Sequence, residues 1–166
     1  MIILGIDPGL AIVGWGIIEY QGAKFRTIAY GSINTPKGTR TEERLRLIYE
    51  GMNELIEKYR PDAMAVEELF FTNNITTGIR VAEARGVILL SAENACVPIF
   101  EYTPPQVKQA VVGYGKAEKR QVISMVTMLL NLPKPPKPDD TADALAIAIC
   151  HAQCRGSVMG KYFNQR

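Results

Sequence analysis

Short apolar runs open the chain, and apolar positions spaced three and four apart follow them. The first run, Ile2-Ile3-Leu4-Gly5-Ile6-Asp7, is rich in branched residues and stops at the turn dipeptide Pro8-Gly9, which predicts a buried strand. Val13 to Tyr20, carrying Trp15, Ile17 and Ile18, predicts a second strand, and Lys24 to Ile33 a third. Gly22 and Gly38 stand where the chain must reverse, so the opening reads as an antiparallel meander.

The period then changes. Between Arg40 and Tyr59, Leu45, Ile48, Met52, Leu55 and Ile56 mark one face of an amphipathic helix, with charges on the other. Pro61-Asp62 ends it, and Ala63 to Val66 predicts a short strand closing on Glu67-Glu68. A second helix runs from Asn74 or Thr76 to Asn94; its stretch Val87-Ile88-Leu89-Leu90 is apolar all round, as suits a helix covered by the sheet on one side and a partner chain on another. Pro98 to Tyr102 is the last strand. Pro104-Pro105 opens a helix to about Val111, because proline suits a first turn, and Gly113 and Gly115 break it. Ala117 to Leu130 predicts another amphipathic helix. The stiff loop Pro133-Lys134-Pro135-Pro136-Lys137-Pro138 leads to a final helix from Asp139 or Asp140 to about Cys154. Strands first, then alternating helix and strand, predict an α/β mixed sheet with helices on its faces. No repeat or linker divides it, so residues 1–155 read as one domain and 156–166 as a flexible tail.

Composition narrows this picture only a little. With 166 residues, 47% hydrophobic and 22% charged, the chain can bury a core without disulfides, and general disorder is excluded. A net charge of +2 is too mild to announce nucleic acid, so any basic surface must come from local clustering. The three cysteines, Cys96, Cys150 and Cys154, read as reduced thiols of a cytoplasmic protein. Cys150, His151 and Cys154 hint at zinc, but only the cysteines share a helical face, and no second ligand pair appears. No apolar stretch is long enough to span a bilayer, and MIILGIDPG carries no secretory pattern.

Four acidic positions stand out by context. Asp7 and Glu67 end apolar strands, and Asp140 and Asp143 lie three apart at the start of a helix, on one face. Ends of neighbouring strands can meet beneath a helix N-terminus. Such a cluster repels itself and raises its own pKa values, a conflict that a hard divalent cation with oxygen ligands resolves. Two such ions can activate water and stabilise the leaving oxygen in phosphodiester cleavage. Taken singly, each acid also has a structural reading as turn residue, helix cap or exposed strand end. Spacing cannot choose Glu67 over Glu68, nor Asp140 over Asp139.

At these residues the sequence resembles the RuvC family of bacterial Holliday-junction resolvases. The resemblance is carried by Ile3-Leu4-Gly5-Ile6-Asp7-Pro8-Gly9, Ala65-Val66-Glu67-Glu68-Leu69-Phe70-Phe71 and Glu83-Ala84-Arg85-Gly86-Val87. It continues through Phe100-Glu101-Tyr102, Gln106 to Gly113, Ala117-Glu118-Lys119 and Asp140 to Ala146, collinear over nearly the whole chain. It implies a ribonuclease H-like fold with a five-stranded sheet, three antiparallel strands first and then parallel strands. It also implies a homodimer that nicks opposing strands of a four-way junction with Mg²⁺ or Mn²⁺, leaving ligatable ends. The family's catalytic, metal-holding acids fall on Asp7, Glu67, Asp140 and Asp143, with histidine replacing the third in some members. Lys108 and Lys119 match lysines that contact DNA, and Phe70 matches an aromatic placed against bases at the junction centre. Partnership with the branch-migration proteins RuvA and RuvB is implied in the same way. The tail after His151 follows no family pattern.

The residue chemistry agrees with these roles. Lys108, Lys116, Lys119 and Arg120 make the densest basic stretch and can neutralise phosphates, though a basic run alone can equally be a solvated face. Phe70 and Phe71 precede a polar loop where an aromatic can stack on or wedge between opened bases, though one of the pair can serve the core. Three rival functions share some of these features. An actin-like phosphotransferase needs a second domain and a phosphate loop, where this chain has Leu10-Ala11-Ile12. A junction-binding protein without catalysis has no use for the four acids, and a nuclease for flaps or structured RNA fits the chemistry but not the motif order.

Overall fold

The apolar runs Ile2–Asp7 and Ala63–Glu67 bury residues on both of their faces, and the sheet they centre is covered on both sides. The computed structural model describes residues 1–69 and 75–156. The strands are β1 (Ile2–Asp7), β2 (Ile12–Gln21), β3 (Lys24–Asn34), β4 (Ala63–Glu67) and β5 (Ile99–Tyr102). The helices are α1 (Thr41–Tyr59), α2 (Ile75–Asn94), α3 (Pro104–Val112), α4 (Lys119–Leu129) and α5 (Asp139–Gly156). The strands form one five-stranded sheet in the order β3-β2-β1-β4-β5. β1, β2 and β3 are antiparallel, and β4 and β5 add parallel to β1, as expected of a ribonuclease H-like sheet.

One sheet face, with Leu4, Ile6, Ile17, Met64 and Val66, packs against α1 and α2. The other, with Ile3, Ile18, Ala65 and Tyr102, packs against α5, which α3 and α4 cover from outside. Burying each large aliphatic side chain contributes roughly 2 kcal/mol, and Ile3, Leu4 and Ile6 of β1 are all fully buried.

α5 sits unusually close to the sheet because both surfaces are made of small residues. Its own Ala144, Ala146, Ala148 and Ala152 are fully buried. Beneath them, a Cβ added at Gly5 would stand 2.1 Å from the Ala144 carbonyl oxygen, and one at Gly14 would stand 2.1 Å from that of Asp140. Thr141 Oγ1 donates to the Gly31 carbonyl at 3.2 Å and ties the first turn of α5 to β3. The N-terminus of α5 is thereby fixed over the ends of β1 and β2.

The element boundaries differ from the sequence expectation where caps decide them. α4 starts at Lys119 rather than Ala117, because Glu118 is its N-cap, its N–H bonded to Gln121 Oε1 at 2.8 Å. α3 starts at Pro104 as expected, fixed there by Thr103, whose hydroxyl and N–H exchange bonds with Gln106 in a capping box. α5 includes Gly156, the residue at which a tail was expected; 157–166 lie outside the described residues. The apolar stretch of α2 divides: Ile88 is fully buried, whereas Leu90 is half exposed. Among the described residues, no helix is long and apolar enough to cross a membrane.

Candidate active site

Asp7 and Glu67 are the last residues of β1 and β4, adjacent parallel strands in which Ile6 lies opposite Val66. Because Ile3 and Ala65 face α5, alternation turns Asp7 and Glu67 to that same side. Glu68 follows beyond the strand end and is exposed, its N–H bonded to the Tyr102 carbonyl at 2.9 Å. The pleat therefore separates the two glutamates that spacing left equivalent.

Asp140 and Asp143 come down onto this corner from the first turns of α5. Gly14, opposite Asp7 in the β1–β2 register, is the residue on which the Asp140 backbone rests. Asp139 is diverted: its Oδ1 accepts from Lys137 Nζ at 2.8 Å, and that contact holds its pKa below the ordinary value. Burial pushes the Asp7 carboxyl up to about 8, and the charges of Glu67, Asp143 and Asp140 push the same way against Lys119. Glu67 is raised by burial and by Asp143, with Lys119 and Lys108 opposing. Asp7 feels the charges of Glu67, Asp143 and Asp140 together, so the other three acids surround it closely enough to act on it.

Two lysines border it. Lys119, at the first position of α4, sets its Nζ 2.7 Å from Asp143 Oδ2. Burial alone would lower its pKa, but the bond to Asp143 and the charges of Asp143, Asp139 and Asp140 outweigh it and raise the value. Lys108 of α3 stands close enough to Glu67 to oppose its rise. Glu67, Val107, Lys108, Lys119, Val122 and Asp143 line an open cleft here. Lys116 and Arg120 are exposed and do not line it; Arg120 pairs with Glu118 at 3.6 Å. Phe70 lies outside the described residues.

The donor chemistry fits a hard divalent cation. Every candidate ligand is a carboxylate, and no described residue donates a hydrogen bond to the Asp7 carboxyl, so its charge lacks the usual compensation. The described side chains do not stand as a closed set of three or more ligands, and Lys119 engages one Asp143 oxygen. Asp7, Glu67, Asp140 and Asp143 are the residues that could hold metal after Lys119 yields. The cysteine pair is a separate matter. Cys150 and Cys154 are free thiols hydrogen-bonded to one another; that bond, together with burial, raises Cys150, and it lowers Cys154 to about 7 against the opposing effect of burial. His151 Nδ1 is 2.8 Å from the Tyr102 hydroxyl, within the core.

One contact at the site was not anticipated. Arg85 Nε of α2 donates to the Glu67 carbonyl at 3.4 Å, and its guanidinium pairs with Glu101 Oε2 of β5 at 2.5 Å. The available signal was a lone arginine amid Ala84, Gly86 and Val87, which needs a partner if its helix is packed.

Known proteins match the chain over most of its length. The family model described as "Crossover junction endodeoxyribonuclease RuvC" matches residues 3–151. A protein of that description from Alkaliphilus oremlandii is 60% identical over 152 residues, covering 92% of this chain and 93% of its own. One from Halothermothrix orenii is 61% identical over 151 residues, covering 91% and 92%. The structure of Thermus thermophilus RuvC in complex with Holliday junction substrate superposes with a TM-score of 0.87 at 40% identity, covering 92% of this chain and 93% of that one. This chain belongs to the RuvC family of crossover junction endodeoxyribonucleases.

Proposed function

We propose that this protein resolves four-way DNA junctions by hydrolysing one phosphodiester on each of two opposing strands, in recombination and repair. The observation that carries the reading is the meeting of Asp7 and Glu67, at adjacent strand ends, with Asp140 and Asp143 under the first turns of α5. The family assignment supports the same substrate class. Asp7, Glu67, Asp140 and Asp143 hold divalent metal, Mg²⁺ with Mn²⁺ as substitute, at two ions per site. Bound there, the metal supplies a water made nucleophilic near neutral pH and charge to stabilise the departing oxygen.

The remaining work falls to the protein's own side chains. Lys108 and Lys119 sit on the rim, where each can hold a phosphate oxygen and neutralise its charge. Lys116 and Arg120, exposed beside them, extend the attraction along the backbone of a DNA arm. Phe70 follows the strand that ends in Glu67 and stacks against bases opened at the junction centre. Attack of water on phosphorus breaks the phosphorus–oxygen bond to the departing strand and leaves a nick with ligatable ends. Val107 and Val122 give the cleft apolar walls, which strengthen the electrostatic contacts inside it.

A second copy of the chain completes the assembly. α2 presents Ile79 and Leu90 outward, 51% and 52% exposed, with Gly86 between them on the same face. Packing this ridge against its own copy relates two sites by a two-fold axis, which suits two symmetric nicks. We place residues 1–155 in one nuclease domain acting in the cytoplasm, with RuvA and RuvB as partners at the junction. The Asp7→Asn protein tests the site assignment: it should bind a junction as wild type does and not cut it, because the phosphate contacts survive loss of the metal ligand. Cutting by that variant at the wild-type rate would remove Asp7 from the mechanism.

A further inference from the structure

The Glu67 carboxylate hangs from the last residue of β4, where the strand's hydrogen bonding runs out. The Glu68 N–H still bonds to Tyr102, but the Glu67 carbonyl lies at the edge of the ladder. That carbonyl accepts from Arg85 Nε at 3.4 Å. Arg85 reaches it from α2, on the sheet face opposite α5 and the acidic cluster. The same guanidinium pairs with Glu101 Oε2 at 2.5 Å, and Glu101 stands in register with Val66, the residue before Glu67. One planar cation thus joins α2, the end of β4 and the neighbouring strand β5, directly behind the site.

We propose that Arg85 is a positioning residue for Glu67, with Glu101 holding Arg85 in place. This rests on the reading of Glu67 as a metal ligand. The alternative, a solvated surface pair, does not match the exposures: the Arg85 side chain is 14% exposed, against 47% for Glu101. A charge that secluded is held by specific contacts, and one of them goes to the main chain of a site residue. The Glu67–Glu68 peptide is held by the sheet only through its N–H bond to Tyr102, and rotation about that single tether would swing the carboxylate out of the cleft. A cation on the carbonyl opposes that rotation. Lysine cannot replace it, because the two partners lie in different directions and need the separate nitrogens of a fork.

The test compares wild type with Arg85→Lys, Arg85→Gln and Glu101→Gln. Three readings are needed: Mn²⁺ binding without DNA, followed by electron paramagnetic resonance; junction binding with chelator; and single-turnover cleavage across Mn²⁺ concentrations. Arg85→Lys should fold and bind the junction as wild type does, yet bind Mn²⁺ about 10-fold more weakly, as loss of an outer support of a ligand commonly does. Its cleavage rate should recover as Mn²⁺ is raised. Glu101→Gln should show a smaller loss of the same kind, and Arg85→Gln at least as large a loss as Arg85→Lys. If Arg85→Lys binds Mn²⁺ as wild type does, or loses junction binding in step with cleavage, Arg85 does not position Glu67. A wild-type protein that binds no Mn²⁺ yet still cuts would instead overturn the metal-site reading, and this inference with it.

Discussion

Lys119 places its ammonium 2.7 Å from the carboxylate of Asp143, so a cation from the protein's own chain partly neutralises the acidic cluster. The lysine side chain is 55% exposed, and an ion pair that open to water contributes at most about 1 kcal/mol. Its value must therefore lie elsewhere than in stability. Lys119→Met should melt close to wild type while cleaving a junction roughly 100-fold more slowly, the scale set by loss of one charge-stabilising group. It should also bind Mn²⁺ no more weakly, since a competitor for Asp143 is gone. A variant that cuts normally would make Lys119 a solvated end of α4.

The raised pKa of Asp7 carries a stability consequence with a definite sign. Its folded value of about 8 lies above the ordinary aspartate value of 3.8, so between those limits the folded state holds a proton that the unfolded chain has released. Stability of the protein in chelator should therefore fall as pH rises from about 4 to about 8 and level off beyond. Asp7→Asn removes this penalty and should melt higher than wild type at pH 8 in chelator, with the gap closing toward pH 4. Mg²⁺ should raise the wild-type melting temperature at pH 8 more than that of the variant. Thermal melts across pH, with and without Mg²⁺, decide it; parallel curves for the two proteins would contradict the burial and crowding of Asp7.

Gly14 marks where α5 meets the sheet beside Asp7. A methyl there would stand 2.1 Å from the Asp140 carbonyl oxygen, which is backbone and cannot swing aside. Gly14→Ala should cost roughly 1–3 kcal/mol through overpacking and should weaken metal binding by lifting Asp140. Chemical denaturation and a metal titration report the two effects separately. Weaker metal binding in the fraction that remains folded is the informative result; unchanged binding would mean that the glycine serves only packing.

The outward ridge of α2 makes a prediction about assembly. Leu90→Arg puts a charge within the proposed two-fold contact and should turn a dimer into a monomer in sedimentation, with little change in melting of the separated chain. The monomer should lose paired nicking before it loses junction binding. An unaltered dimer would move the contact to another face.

Much of this site was legible in the chain, for identifiable reasons. A strand that ends in an acid reads directly from its apolar run, so Asp7 and the Glu67-Glu68 pair were visible without coordinates. The family resemblance assigns Glu67 rather than Glu68, but a physical reason for that choice needs the sheet face that α5 covers, which depends on Gly5 and Gly14 admitting the helix, a tertiary fact. Asp139 and Asp140 were equivalent by spacing and became distinct through Lys137, held two residues away across a proline. The basic run read as one surface, yet only Lys108 and Lys119 line the cleft, because capping by Glu118 sets the phase of α4. Arg85 lies in a motif of the chain whose spacing gives it no role, since its partners come from β4 and β5.

Cleavage of a synthetic four-way junction, run beside a linear duplex of the same sequence and a chelator control, tests the junction assignment most directly. Paired nicks at symmetric positions on opposing strands, formed with Mg²⁺, abolished by chelator and absent from the duplex, are the expected result. A junction that is bound but left whole with Mg²⁺ and Mn²⁺ across varied core sequences, or a duplex cut as readily as the junction, would contradict it.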